Sequence, residues 1–214
     1  MGCIPQKRAT RGSQHWLQHF VEARSPLLDE AIGLGPLHWL SPLAEDAYSE
    51  YRDRAFLDRL GVQLTRRPLA SFWPARGPVW DGLALTSSGA CVLLEAKSHR
   101  SEMDSTCKAS QRSRAVIEEA LREAQRGLGI EGSPDWSDGF YQYANRLAHG
   151  YLLNELNAVP AELVCLYFVG DADMRGPASR REWLAAISAV HEHLGIGGQM
   201  PPYVRDAFLS VSER

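Results

Sequence analysis

The sequence has only four cysteines, Cys3, Cys91, Cys107 and Cys165, and no CxxC pair among them, which argues against a disulfide framework or a zinc ribbon. Long apolar runs are missing too. Stretches such as Cys91 to Leu94 and Leu163 to Val169 fall far short of the roughly 20 residues that cross a bilayer, so an integral membrane protein is excluded. There is no excess of positive charge: 23 Lys and Arg stand against 26 Asp and Glu, a formal net charge of -3. Any nucleic-acid binding must therefore come from a local basic surface. A GxSxG elbow is absent, and the glycines of Gly195 to Gly198 are not followed by the Lys-Ser/Thr of a phosphate loop. His15 and His19 stand four apart but have no third zinc ligand and no glutamate placed as in HExxH. No repeat or low-complexity tract is present. Lys7, Arg8 and Arg11 are followed by no apolar stretch, and Met-Gly-Cys-Ile-Pro-Gln lacks the Ser or Thr of a myristoylation signal. The expected setting is a reducing cytoplasm.

What is present suffices for one folded domain: 214 residues, 44% hydrophobic and 23% charged. Residues 1–12 are polar and basic and are expected to be mobile, while Trp16, Leu17, Phe20 and Val21 repeat at helical spacing. Ser25-Pro26 and Ser41-Pro42 each offer a cap followed by proline at the first helical position, and the second predicts a helix running from Pro42 to Leu60 and stopping at Gly61. Gln63–Leu69, Val79–Thr86 and Cys91–Lys97 read as strands. Helices are expected over about 109–126, with Val116, Ala120 and Ala124 on one side, over 139–156, and over 179–194. Leu163–Val169 reads as a strand buried on both faces, and Tyr203–Val211 as a strand or a helix. This order predicts an α/β fold with a mixed sheet flanked by helices.

The hairpin formed by Val79–Leu85 and Cys91–Lys97 carries the most information. With Leu85 opposite Cys91, the antiparallel register sets Leu83 opposite Leu93 and Asp81 opposite Glu95, all on one face, and Lys97 joins them there. Directly opposed residues have Cβ atoms about 4.5–5.5 Å apart, where like charges destabilise the pair. Lys97 offsets part of this repulsion, and a divalent cation held by hard oxygens would offset more.

Asp81, then Glu95-Ala96-Lys97 after a hairpin spacer, together with the element order across about residues 41 to 170, resembles the PD-(D/E)xK nuclease superfamily. Trp80 stands where that family usually has proline. The resemblance implies a restriction endonuclease-like fold over residues 41–214, with residues 1–40 as an N-terminal helical extension. It also implies Mg²⁺, with Mn²⁺ as a substitute, held by Asp81, Glu95 and the carbonyl of Ala96, and Lys97 orienting or activating the attacking water. The family's glutamate on the helix before the first strand is matched by Glu50, ahead of Asp46 and Glu45.

On the helix from Gly139, Gln142, Arg146 and His149 form a polar stripe. Nucleases resembling RecB carry Gln-x-x-x-Tyr at a comparable place, and here Arg146 stands at the tyrosine position. Gln142 and Arg146 are candidate substrate contacts, Arg146 as a planar donor to phosphate; His99 is a candidate for lining the cleft. Arg66 and Arg67, with Arg52, Arg54, Arg59, Arg76, Arg100, Lys108, Arg112 and Arg114, are candidates for a basic rim. The expected activity is Mg²⁺-dependent hydrolysis of DNA, with RNA as a further candidate substrate and the oligomeric state, a homodimer included, left open. The rival is a catalytically silent nuclease-like fold that binds nucleic acid or protein.

Overall fold

The computed structural model describes residues 2–132, 134–198 and 200–211. The chain opens with a short strand, β1 (Cys3–Ile4), then helix α1 (Gly12–Glu22), which buries Leu17 and Val21, and α2 (Pro26–Ile32), with Pro26 in the first turn and Gly33 in the left-handed conformation at its end. Strand β2 (His38–Ser41) and a two-residue strand β3 (Glu50–Tyr51) precede α3 (Arg54–Leu60) and the four-residue α4 (Leu69–Phe72). The hairpin follows as β4 (Gly82–Leu85) and β5 (Cys91–Lys97), then α5 (Gln111–Gly127) and α6 (Tyr141–Tyr151), which continues in π-type turns over Leu152–Leu156. The chain closes with β6 (Ala161–Val169), α7 (Arg180–Leu194) and β7 (Val204–Ser210).

Five strands form one mixed sheet in the order β2-β4-β5-β6-β7, in which β2 pairs with β4 and β4 with β5 antiparallel, while β5 pairs with β6 and β6 with β7 parallel. Alternation along the strands gives the sheet two apolar faces. Leu83, Leu93 and Leu163 pack with α5, α6 and α7, whereas Ala84, Leu94, Val164 and Phe168 pack with Leu17 and Val21 of α1 and Leu28 and Ile32 of α2. The N-terminal segment is therefore not an appendage; it supplies one of the two helical layers. Its first residues are also tied down, since Cys3 and Ile4 pair antiparallel with Tyr51 and Glu50.

Several expectations fail here for identifiable reasons. The helix expected from Pro42 to Leu60 is broken: Ala47, Tyr48 and Asp53 all have positive φ, and only a single 3-10 turn at Ala44–Asp46 and the α-helix Arg54–Leu60 remain. The i, i+4 stripe behind that expectation is split by the sheet, because Leu43 packs on the α1/α2 face while Tyr51 and Ala55 pack on the other. Gln63–Leu69 forms no strand, and the strand His38–Ser41 stands where none was expected. On α5 the buried apolar residues are Ile117, Ala120, Leu121 and Ala124, and Val116 is exposed.

The long link from α3 to β4 is anchored by one side chain. Asn157 accepts hydrogen bonds from the backbone N–H groups of Arg66 and Arg67 and donates to the carbonyls of Arg67 and Leu152. Asn157→Ala would leave these groups, most of them only partly buried, without their side-chain partner, and we expect a loss of about 1–2 kcal/mol in urea denaturation.

Candidate active site

Period-2 alternation along β5 sends Glu95 and Lys97 to the face covered by α6, whose residues Gln142 and Arg146 stand one turn apart above them. Glu95 is 5% exposed and Arg146 2%. The Arg146 guanidinium donates from Nε (2.8 Å) and Nη2 to Oε2 of Glu95. Its remaining donors reach the carbonyl of Val79 (2.6 Å) and Oδ1 of Asn145 (3.0 Å), and its plane lies 4.5 Å over the Trp80 ring. Lys97 pairs with Glu95 Oε1 and also donates to Gln142 Oε1 at 2.8 Å. Burial alone would raise the Glu95 carboxyl, but Arg146 and Lys97 outweigh it and hold the group below its ordinary range. A cavity of about 20 Å³, room for one water, lies beside Lys97, Gln142, Tyr143, Cys165 and Tyr167.

The β4–β5 ladder follows the expected register, with Leu85 opposite Cys91 and Leu83 opposite Leu93, but it ends at Gly82 opposite Leu94. Before that point the chain leaves β5, and the Trp80 N–H donates to the Tyr51 carbonyl of β3. Asp81 is thus not in a ladder pair with Glu95. Instead its Oδ2 accepts from the Ala96 N–H at 2.8 Å, so a carboxylate replaces a backbone acceptor. The Ala96 side chain itself is buried on the opposite face with Leu94. Burial, then the proximity of Glu95, holds the Asp81 carboxyl well above its usual value. Glu50 is the third acid of the group. It lies on β3 and not on a helix, and Gln14 (2.8 Å) and Gln6 (3.0 Å) donate to its two oxygens, partly offsetting the rise that burial imposes.

Other candidates fall outside this group or serve it differently. Arg146 is too deeply buried to meet a phosphate, and acts as an internal counter-ion. Gln142 holds Lys97. His99 turns to Ser101 Oγ (2.7 Å) and Glu102. Arg66 and Arg67 sit beside Asn157, near the start of β6 and opposite the Cys91 end of β5. β5 rises about 20 Å from Cys91 to Lys97 over its seven residues, so Arg66 and Arg67 lie toward the end of that strand away from Lys97. Much of the expected basic rim is neutralised, with Arg52, Arg54, Arg67, Arg100 and Arg114 each paired to an acid. His149, expected on the polar stripe, is boxed in by Phe56, Phe72, Trp73 and Trp80, and burial pushes its pKa down to about 3. It remains neutral and supports Trp80 beneath Arg146. The roles of Gln6 and Gln14 had no sequence signal, since they lie 44 and 36 residues from Glu50.

Among the described residues, no three His, Cys, Asp or Glu side chains form a group that could hold a metal ion. The donors that a cation could take are the Asp81 oxygen not bonded to Ala96 and Glu95 Oε1, the latter in exchange for its contact with Lys97. Two carboxylate oxygens, with water and phosphate completing the shell, suit Mg²⁺, and the raised Asp81 is the group a cation would relieve. Comparison with protein-family models, curated proteins and solved structures yields no match.

Because the Asp81 carboxyl is raised on folding, its stabilising contribution is full only below about pH 4 and is lost as the pH rises through the folded value. Asp81→Asn is therefore expected to melt higher than wild type at pH 8 in EDTA, with the advantage vanishing near pH 4. A lower melting temperature at pH 8 would contradict the electrostatic account.

Proposed function

We propose that this protein is a Mg²⁺-dependent phosphodiesterase acting on DNA, with Mn²⁺ able to substitute. The observation that carries the reading is the convergence of Asp81, Glu95 and Lys97 at one end of one sheet face, two acids and an amine drawn from residues that a folding argument alone would make apolar. The PD-(D/E)xK resemblance of these residues gives the reaction class. A cation held by Asp81 and Glu95 would polarise the scissile phosphate and lower the pKa of a bound water. Lys97 places an ammonium where charge develops on the phosphoryl oxygens, and Gln142 fixes its direction. Burial of Glu95 and Arg146 keeps that field in a low-dielectric setting.

One observation favours the silent binding module: both oxygens of Glu95 are already matched by cations of the chain itself. Purified protein with Mg²⁺ or Mn²⁺, offered linear, circular, single-stranded and branched DNA and RNA, separates the two readings. Cleavage abolished by EDTA supports the enzyme; Mn²⁺ binding without cleavage of any substrate selects the module. Lys97→Ala is expected to lower turnover at least about 100-fold while retaining Mn²⁺ binding. Wild-type turnover by that variant would remove Lys97 from its assigned role. Since Arg66 and Arg67 lie toward the end of β5 away from Lys97, their joint replacement by alanine should leave the log–log salt slope of DNA binding unchanged, where loss of two phosphate contacts would reduce it by about 1.8.

No helix among the described residues is long and apolar enough to cross a membrane.

A further inference from the structure

We propose that Arg146 determines cation specificity at this site: by holding Oε2 of Glu95 it leaves Oε1 alone for a metal, which admits Mg²⁺ or Mn²⁺ and discriminates against Ca²⁺. The inference rests on the metal-dependent reading above and gives Arg146 a role at the metal that this reading does not assign.

The guanidinium meets Oε2 through both Nε and Nη2. It cannot easily turn away, because Nη2 also bonds the Val79 carbonyl, Nη1 bonds Asn145 and the plane lies on Trp80. Trp80 is itself fully buried and backed by His149. Oε1 is in a different position. Its partner Lys97 has a second acceptor in Gln142 at 2.8 Å, so the amine stays paired when Oε1 takes another partner. Glu95 thus has one fixed oxygen and one exchangeable oxygen.

That asymmetry matters differently to different cations. Mg²⁺ takes six oxygens in a tight octahedron and is satisfied by one oxygen from each of one or two carboxylates, and Mn²⁺ also favours six oxygen donors. Ca²⁺ takes six to eight oxygens at longer distances and commonly uses a glutamate through both. A capped Oε2 denies that second contact to Ca²⁺ alone. Removing the Arg146 charge would strengthen binding of all divalent cations, so the affinity ratio, and not either affinity, reports the proposed role.

The test is isothermal titration of the full chain with MnCl₂ and with CaCl₂, in wild type, Arg146→Met and Arg146→Lys, with folding followed by near-ultraviolet circular dichroism. Wild type should bind Mn²⁺ more tightly than Ca²⁺. In Arg146→Met the ratio should move toward Ca²⁺ by about tenfold, the lower end of what substitutions around metal ligands do to affinity. Arg146→Lys, which keeps a charge but not the fork, should lie between. An unchanged ratio in folded Arg146→Met overturns the proposal, and if that variant does not fold, an unchanged ratio in Arg146→Lys does so. Equal affinity of wild type for the two ions overturns it without any variant. Wild type that binds neither ion defeats the metal-dependent reading itself, and the inference with it.

Discussion

The ion pair between Glu95 and Arg146 is the constraint around which this side of the molecule is organised. A carboxylate on the central strand of a sheet, 5% exposed and next to Asp81, is a buried charge that needs a partner. Removing one member of such a pair typically costs about 3–5 kcal/mol. Arg146 meets the need with a planar fork, and its other donors fasten the segment before Asp81 to the same point through the Val79 carbonyl. One side chain of α6 therefore fixes the segments that carry Glu95 and Asp81. The aromatic box around His149 supports this arrangement by holding Trp80 under the guanidinium.

The same sheet explains why the N-terminal segment belongs to the domain. Its back face, formed by Ala84, Leu94, Val164 and Phe168, would lie open without α1 and α2. Having covered that face, the segment also reaches the front edge of the molecule, where Gln6 and Gln14 bond the oxygens of Glu50 and Ser13 bonds Glu102. The turn after Lys97 is held from the other side by a close backbone approach: a Cβ on Gly176 would lie 2.1 Å from the Ser98 carbonyl oxygen, so only glycine fits. The turn after Lys97 is thus held by the Gly176 backbone on one side and, through Glu102, by Ser13 on the other.

Charge is distributed unevenly in the group. Glu95 is held ionised by its two cationic neighbours, while Asp81, which has the Ala96 N–H as its hydrogen-bond donor, carries the unfavourable share. Paired acids with opposed shifts are typical of functional sites, where stability is given up for chemistry. A purely structural cluster accounts for Glu95 and Arg146 and for the Ala96 N–H that Asp81 satisfies, and the raised Asp81 carboxyl is the feature on which the proposed metal site rests.

What the sequence determined by itself was local or periodic. Strand β5, the register Leu85 to Cys91 and the shared face of Glu95 and Lys97 follow from a period of two over a few residues, and the stop at Gly61 follows from one glycine. Strand β2 was also within reach, since His38–Ser41 lies between Pro36 and Pro42 with Gly33 and Gly35 before them. Tertiary structure decided the rest. The spacing of Leu43, Ala47, Tyr51 and Ala55 fits a helix equally well, and only the sheet, by drawing Leu43 to one face and Tyr51 to the other, breaks it. Glu50 reaches the acid group from a strand paired with residues near the N-terminus, and Arg146 changes from a candidate phosphate contact to a buried counter-ion 51 positions from its partner. Such pairings join side chains far apart in sequence, so no local period encodes them; the packing of α6 on the sheet does.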